Sequence, residues 1–123
     1  MAVDKSLLSG STSMLLLGLL QEREMYGYEM LETLGERSQN VFSLKAGTLY
    51  PLLHTLESQG LVVSEERPVI GERVRKYYRI TPKGSKALTD KKSEWSTFTA
   101  AVNRVIEGHA MEGGARCAKA CGA

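Results

Sequence analysis

Between Lys45 and Gln59, Leu49, Leu52, Leu53 and Leu56 fall on the i, i+3, i+4, i+7 template without a miss. That is the spacing of a helix with one face in a core. Gly60 follows at a position that favours glycine, just past a helix end. At about 100° per residue, the opposite face carries Gly47, Pro51, His54, Thr55 and Ser58, flanked by Thr48 and Tyr50. This face is polar and free of carboxylates, with Glu57 lying toward the side. Pro51 has no N–H for the carbonyl of Gly47, which predicts a kink or loosened first turns; a late helix start is the alternative.

Two helices are expected before this one. The first begins near Ser11–Ser13, whose hydroxyls suit a helix cap, and runs to about Glu22. Its Met14, Leu15, Leu16, Leu17, Leu19 and Leu20 are apolar nearly all round, so it is covered on more than one side, the second cover being assigned to a partner subunit. A turn at Arg23–Met25 leads to a second helix from Tyr26 to about Arg37, with Met30, Leu31 and Leu34 inward. Gly27 permits close packing against a neighbour, and Gly35 and Ser38–Asn40 mark the end.

After Gly60, Leu61 to Arg67 and Val74 to Ile80 read as strands, with Pro68–Arg73 as the tip between them. A lone hairpin is too small to stand by itself and must lean on the helices. Thr81-Pro82 opens the last helix, with Thr as cap and Pro where its missing N–H costs nothing. This helix runs to about Ile106 and is ended by Gly108. Trp95, Phe98, Val102 and Val105 recur along it at spacings of 3, 4 and 3, with Leu88 seven before Trp95. This is a coiled-coil-like seam, interrupted by Lys91 and Lys92. A second copy would cover it, because a monomer would leave a large aromatic stripe in water. Leu16, Leu88, Trp95, Phe98, Val102 and Val105 are therefore the expected dimer interface.

The order helix–helix–helix–hairpin–helix describes a mainly α chain with a small β-hairpin, a winged helix-turn-helix with a C-terminal dimerisation helix. Residues 1–81 are read as the DNA-binding domain, 82–107 as the dimerisation helix and 108–123 as a disordered tail. The chain has 123 residues, 42% hydrophobic and 24% charged, the balance of a folded protein of one domain. No stretch nears the roughly 20 apolar residues of a membrane span, and no signal-peptide pattern opens the chain. A soluble, cytoplasmic protein with no membrane partner is expected.

Net charge is +2, but its distribution is uneven. From Arg67 to Lys86 seven basic residues stand against Glu72 alone, whereas Leu20 to Asn40 holds five glutamates and two arginines. A charge run by itself is usually a solvated face. Next to a carboxylate-free helix face it points to double-stranded DNA.

Residues 47–62, GTLYPLLHTLESQGLV, closely resemble the third helix and its exit in the PadR-like family of bacterial regulators. Tyr26-Gly-Tyr-Glu-Met30 resembles the start of that family's second helix. Arg75-Lys-Tyr-Tyr-Arg-Ile-Thr-Pro-Lys-Gly84 resembles its second wing strand and the opening of its last helix. The resemblance spans about residues 10 to 107 and implies a homodimeric repressor with two DNA-reading heads. It also implies that some members bind aromatic small molecules, lined in the single-C-terminal-helix subgroup by a tryptophan at the place Trp95 holds. Met14, Trp95 and Phe98 are the candidate ligand contacts, with plain core packing the alternative for an aromatic stripe.

A helix fits the major groove while flanking groups hold phosphates. The residues assigned to DNA are Lys45, Thr48, Tyr50, Pro51 and His54 on or beside the third helix. Arg73, Arg75 and Lys76 of the wing suit phosphates or the minor groove. Tyr26 or Tyr28 is placed to donate to a phosphate at the start of the second helix, at least one of the two being expected in the core. None is a strong one-base reader, so no base preference follows.

Three other readings carry less. His54 and His109 have no nucleophile or acid arranged around them and no phosphate loop is present, so no enzyme is expected. A winged helix for protein or RNA contact is permitted by the fold, while the basic wing and self-pairing helix argue against it. Cys117 and Cys121, with His109 upstream, make one pair where zinc signatures need two, so no metal and no cofactor is expected.

Overall fold

The computed structural model describes residues 11–108. Six longer elements and one very short strand follow in order: α1 (Thr12–Glu22), β1 (Met25–Tyr26), α2 (Gly27–Arg37), α3 (Ala46–Ser58), β2 (Val62–Val69), β3 (Glu72–Ile80) and α4 (Pro82–Glu107). The expected order is present, with one addition. Met25, assigned to a turn from its neighbours, pairs with Tyr78, and Tyr26 pairs with Tyr77. The hairpin thereby becomes an antiparallel sheet of order β1-β3-β2.

α1 is apolar nearly all round because its own chain covers it. Leu16 and Leu17 are fully buried, Leu19 and Leu20 nearly so, and the helix packs on both β3 and α2. Most of the cover assigned to a partner comes from within the subunit, with Met14 and Leu15 left half-buried. Ser11 stands at its N-cap without making a side-chain cap bond.

α2 begins where the chain leaves β1, and the backbone N–H of Tyr26 donates to Glu29 Oε1 at 3.2 Å. Beyond Arg37 the chain reverses through Gln39 and Asn40, both at positive φ, as the Asn40 N–H donates to the Gly35 carbonyl at 2.7 Å. Ser38 Oγ donates to the Leu34 carbonyl and accepts from the Phe42 N–H, fixing the turn into α3.

Pro51 lies inside α3, which starts at Ala46 with Lys45 as N-cap, so the late start is ruled out. Leu49, Leu53 and Leu56 are buried and Leu52 half-buried, as the spacing requires. The strands run further than their apolar residues suggested, up to a two-residue turn at Ile70–Gly71 in which Gly71 takes φ +75°. The β2–β3 ladder is irregular between Arg67 and Val69, where Pro68 has no N–H to give.

Alternation gives the sheet two faces. Val62 and Tyr78 are buried, with Ser64 Oγ donating to Glu57 of α3 at 2.7 Å. Glu65, Arg67, Arg75 and Tyr77 occupy the other face, with Tyr26 of β1 beside Tyr77. Thr81 joins sheet to helix: its N–H donates to Leu61 and its hydroxyl to Gly60, and it accepts from the Gly84 N–H.

The chain divides into two compact units after Thr89. In the first unit, Gly84 and Leu88 of α4 are buried. In the second, Trp95 and Phe98 lie with ring centroids 6.2 Å apart and are 47% and 60% exposed.

Candidate nucleic-acid interface

The outer face of α3 is open. Lys45, Gly47, Thr48, Tyr50, Pro51, His54, Thr55 and Ser58 are all exposed, and none is a carboxylate. The leucines that bury the opposite face impose this, since residues on a helix separate into faces by angle alone. Thr55 Oγ1 donates to the carbonyl of Pro51.

Tyr50 also touches α2. A Cβ on Gly27 would sit 2.2 Å from the Tyr50 hydroxyl oxygen, so the ring lies directly on the first residue of α2. The close packing expected of Gly27 thus has a named partner, Tyr50. Neither Tyr26 nor Tyr28 is in the core, contrary to expectation: Met25 takes the buried position, because strand pairing at β1 turns Tyr26 to the other face. Tyr28 is 60% exposed. Tyr26 is half-buried, edge-on to Tyr77 at 5.4 Å and beneath the Arg75 guanidinium at 4.3 Å.

The wing cations do not share one face. Arg75 lies over Tyr26, whereas Lys76 turns the other way, its ammonium 5.8 Å from the Tyr78 ring. Arg73 is exposed near the tip. Arg67, the first cation of the basic segment, forms two hydrogen bonds to Glu24, at 2.6 and 2.9 Å, and one to Glu65 at 3.1 Å. The bond from Arg67 holds the Glu24 carboxyl below its ordinary range, and the same bonds raise Arg67 further above its own. Arg37 likewise pairs with Glu22 and lowers it. The acidic stretch of the sequence is therefore partly consumed by ion pairs that tie α1's exit to α2 and to the wing. The pairing with Arg67 links residues 43 apart, and no local pattern reveals it. Burial raises Tyr78, helped by Glu57 and Tyr50.

Among the residues assigned to a dimer seam, Leu16 and Leu88 are 0% and 5% exposed within their own subunit. They have no surface left for a second copy, which corrects their assignment: both complete the core of the first unit. Val105 is 81% exposed, Val102 half-buried, and Trp95 and Phe98 are open. Met14 is half-buried against the core. Among the described residues no three His, Cys, Asp or Glu side chains are grouped to hold a metal, and no helix is long and apolar enough to cross a membrane. His109, Cys117, Cys121 and the expected tail beyond Gly108 lie outside the described residues.

Three helices, the third open on its outer face, followed by a β-ribbon and a long helix, define a winged helix-turn-helix. Residues 16–90 match the transcriptional regulator PadR-like family. The chain belongs to that family. Its fold is similar to a PadR family transcriptional regulator from Eggerthella lenta, with a TM-score of 0.76 and 36% identity, covering 84% of this chain and 88% of that one. A transcriptional regulator from Clostridium thermocellum is similar at TM-score 0.76 and 30% identity, with 83% and 96% covered. In sequence, a transcriptional regulator of Mycobacterium tuberculosis is 53% identical over 55 residues, 45% of this chain and 50% of that protein. An uncharacterised protein of Lysinibacillus sphaericus is 30% identical over 106 residues, 86% of this chain and 97% of its own length. The family is one of transcriptional regulators, not enzymes.

Proposed function

We propose that the chain is a homodimeric, ligand-responsive repressor that reads double-stranded DNA with α3 and grips it with the wing. The observation that carries this reading is the exposed, carboxylate-free face of α3. Placed in the major groove, Thr48 and Pro51 meet apolar base surface, Lys45 and His54 donate, and Tyr50 approaches from beside Gly27. Tyr28 donates its hydroxyl to a phosphate near the start of α2, where the backbone N–H groups also favour an anion. Arg73 and Arg75 serve phosphates from one side of the ribbon and Lys76 from the other; Tyr26 acts chiefly as the ring on which Arg75 rests.

In this reading residues 1–81 bind DNA and 82–107 pair two copies through Trp95, Phe98, Val102 and Val105. An aromatic ligand stacking on Trp95 and Phe98 would change the angle between subunits. The two recognition helices must seat about 34 Å apart, so a ligand that prefers a mis-spaced dimer releases DNA.

The test is selection of bound fragments from genomic DNA, followed by mobility shifts at two salt concentrations. A short, two-fold symmetric site with affinity falling steeply in salt is expected, about 0.9 in log–log slope for each phosphate neutralised. Binding indifferent to salt and sequence overturns the reading. For the ligand step, Trp95 is the sole tryptophan, so its fluorescence reports occupancy. Quenching with unchanged operator affinity refutes ligand control.

A further inference from the structure

We infer that Glu24 and Arg67 form a clamp that sets the wing against the start of α2, and that Arg67 is a positioning residue and not a phosphate contact. The inference rests on the DNA-binding reading above and refines it, because it removes one cation of the basic segment from the DNA surface.

Glu24 stands in the two-residue connection between α1 and β1, just ahead of the N-cap of α2. Arg67 stands near the far end of β2, where the ladder is irregular. In the sheet order β1-β3-β2 these segments are not neighbours, so the pair reaches across β3. Its two parallel bonds, at 2.6 and 2.9 Å, constrain direction as well as distance. The backbone alone holds this edge weakly, since β1 contributes only two residues of pairing.

The same guanidinium solves an electrostatic problem in the ribbon. Arg67 is the register partner of Arg75, and like charges placed opposite one another destabilise a strand pair. Glu24 and Glu65 neutralise Arg67, which lies 4.6 Å over the Tyr77 ring. Tyr77 meets Tyr26 edge-on, and Tyr26 carries Arg75. The order Arg67, Tyr77, Tyr26, Arg75 is a continuous cation–aromatic row, and its acidic end is Glu24. Arg67 thus acts through that row on Arg75.

The proposal makes a prediction opposite in sign to simple charge counting. Removing a carboxylate near DNA should tighten binding by electrostatics alone. A lost clamp should loosen it. In the full-length protein, E24A and R67A are each expected to weaken DNA binding about two- to fivefold, the range for a surface pair. The double variant should be no weaker than either single one, because both remove the same interaction. The salt slope should stay at the wild-type value in E24A and R67A, while R75A lowers it by about 0.9. Tighter binding by E24A, or a reduced slope in R67A, overturns the proposal.

A second readout needs no DNA. Amide hydrogen exchange at Met25, Tyr26, Tyr77 and Tyr78 should quicken several-fold in E24A while the α3 amides stay protected. Unchanged exchange at β1 overturns the clamp. If the wild-type protein shows no salt-dependent DNA binding, it is the DNA reading that fails, and the exchange data alone decide the clamp.

Discussion

Gly27 and Gly84 show two different consequences of the same steric rule. A Cβ at Gly84 would fall 2.0 Å from the Leu61 carbonyl oxygen, backbone that also accepts the Thr81 N–H. Neither can retreat without breaking the joint between sheet and α4. G84A is expected to lower stability by about 1–3 kcal/mol, read from urea unfolding, as overpacking in a tight site does. At Gly27 the obstacle is the Tyr50 ring, which is 46% exposed and can swing outward. G27A should therefore unfold close to wild type yet bind DNA more weakly, because it displaces a side chain of the reading face. If G27A bound DNA normally, Tyr50 would have no part in recognition. Sequence alone marks Gly27 as a close-packing residue; that its neighbour is a tyrosine of another helix depends on how α2 and α3 cross.

At the scale of elements, α3 follows from its leucines, and truncating Leu53, fully buried, is expected to cost about 2–5 kcal/mol in thermal or urea unfolding. The connections around it depend on ion pairs instead. Glu22 and Glu24 are both held below the ordinary carboxylate value of 4.5 by hydrogen bonds from Arg37 and Arg67. A lowered folded-state value means stability fully present above that range and lost as pH falls through it. Stability should decline in acid below about pH 4.5, and E22Q and E24Q should each show a shallower decline. An equally steep acid limb in both variants would assign acid sensitivity to other groups. The Glu22–Arg37 pair is exposed and the Glu24–Arg67 pair half-buried, so salt should weaken the first more than the second. Short strands such as β1 escape periodicity altogether: two residues show no alternation, and Met25–Tyr26 is recognisable only once β3 lies beside it.

At the scale of the whole molecule, the expected association surface is the stripe of Trp95, Phe98, Val102 and Val105. Phe98, 60% exposed, offers a clean test. On the proposed pairing, F98E should sediment as a monomer where wild type sediments as a dimer, and its apparent operator affinity should fall at least tenfold because one head alone must hold the DNA. A dimer unaffected by F98E would move the interface elsewhere. Leu16 and Leu88 make poor test sites, because substituting either damages the subunit core first.

Apart from β1, the order of elements was legible in the chain, as were the buried face of α3, its open carboxylate-free side and the family membership, because each depends on residue spacing within a segment or on a local motif. Other features needed the tertiary structure. Met25 rather than either neighbouring tyrosine enters the core, Arg67 is spent on Glu24, and α1 is covered largely by its own subunit. These outcomes depend on which distant segments meet and in what register. Periodicity within a segment determines which face it buries; only packing determines what that face is buried against, and which charges are left over for a partner.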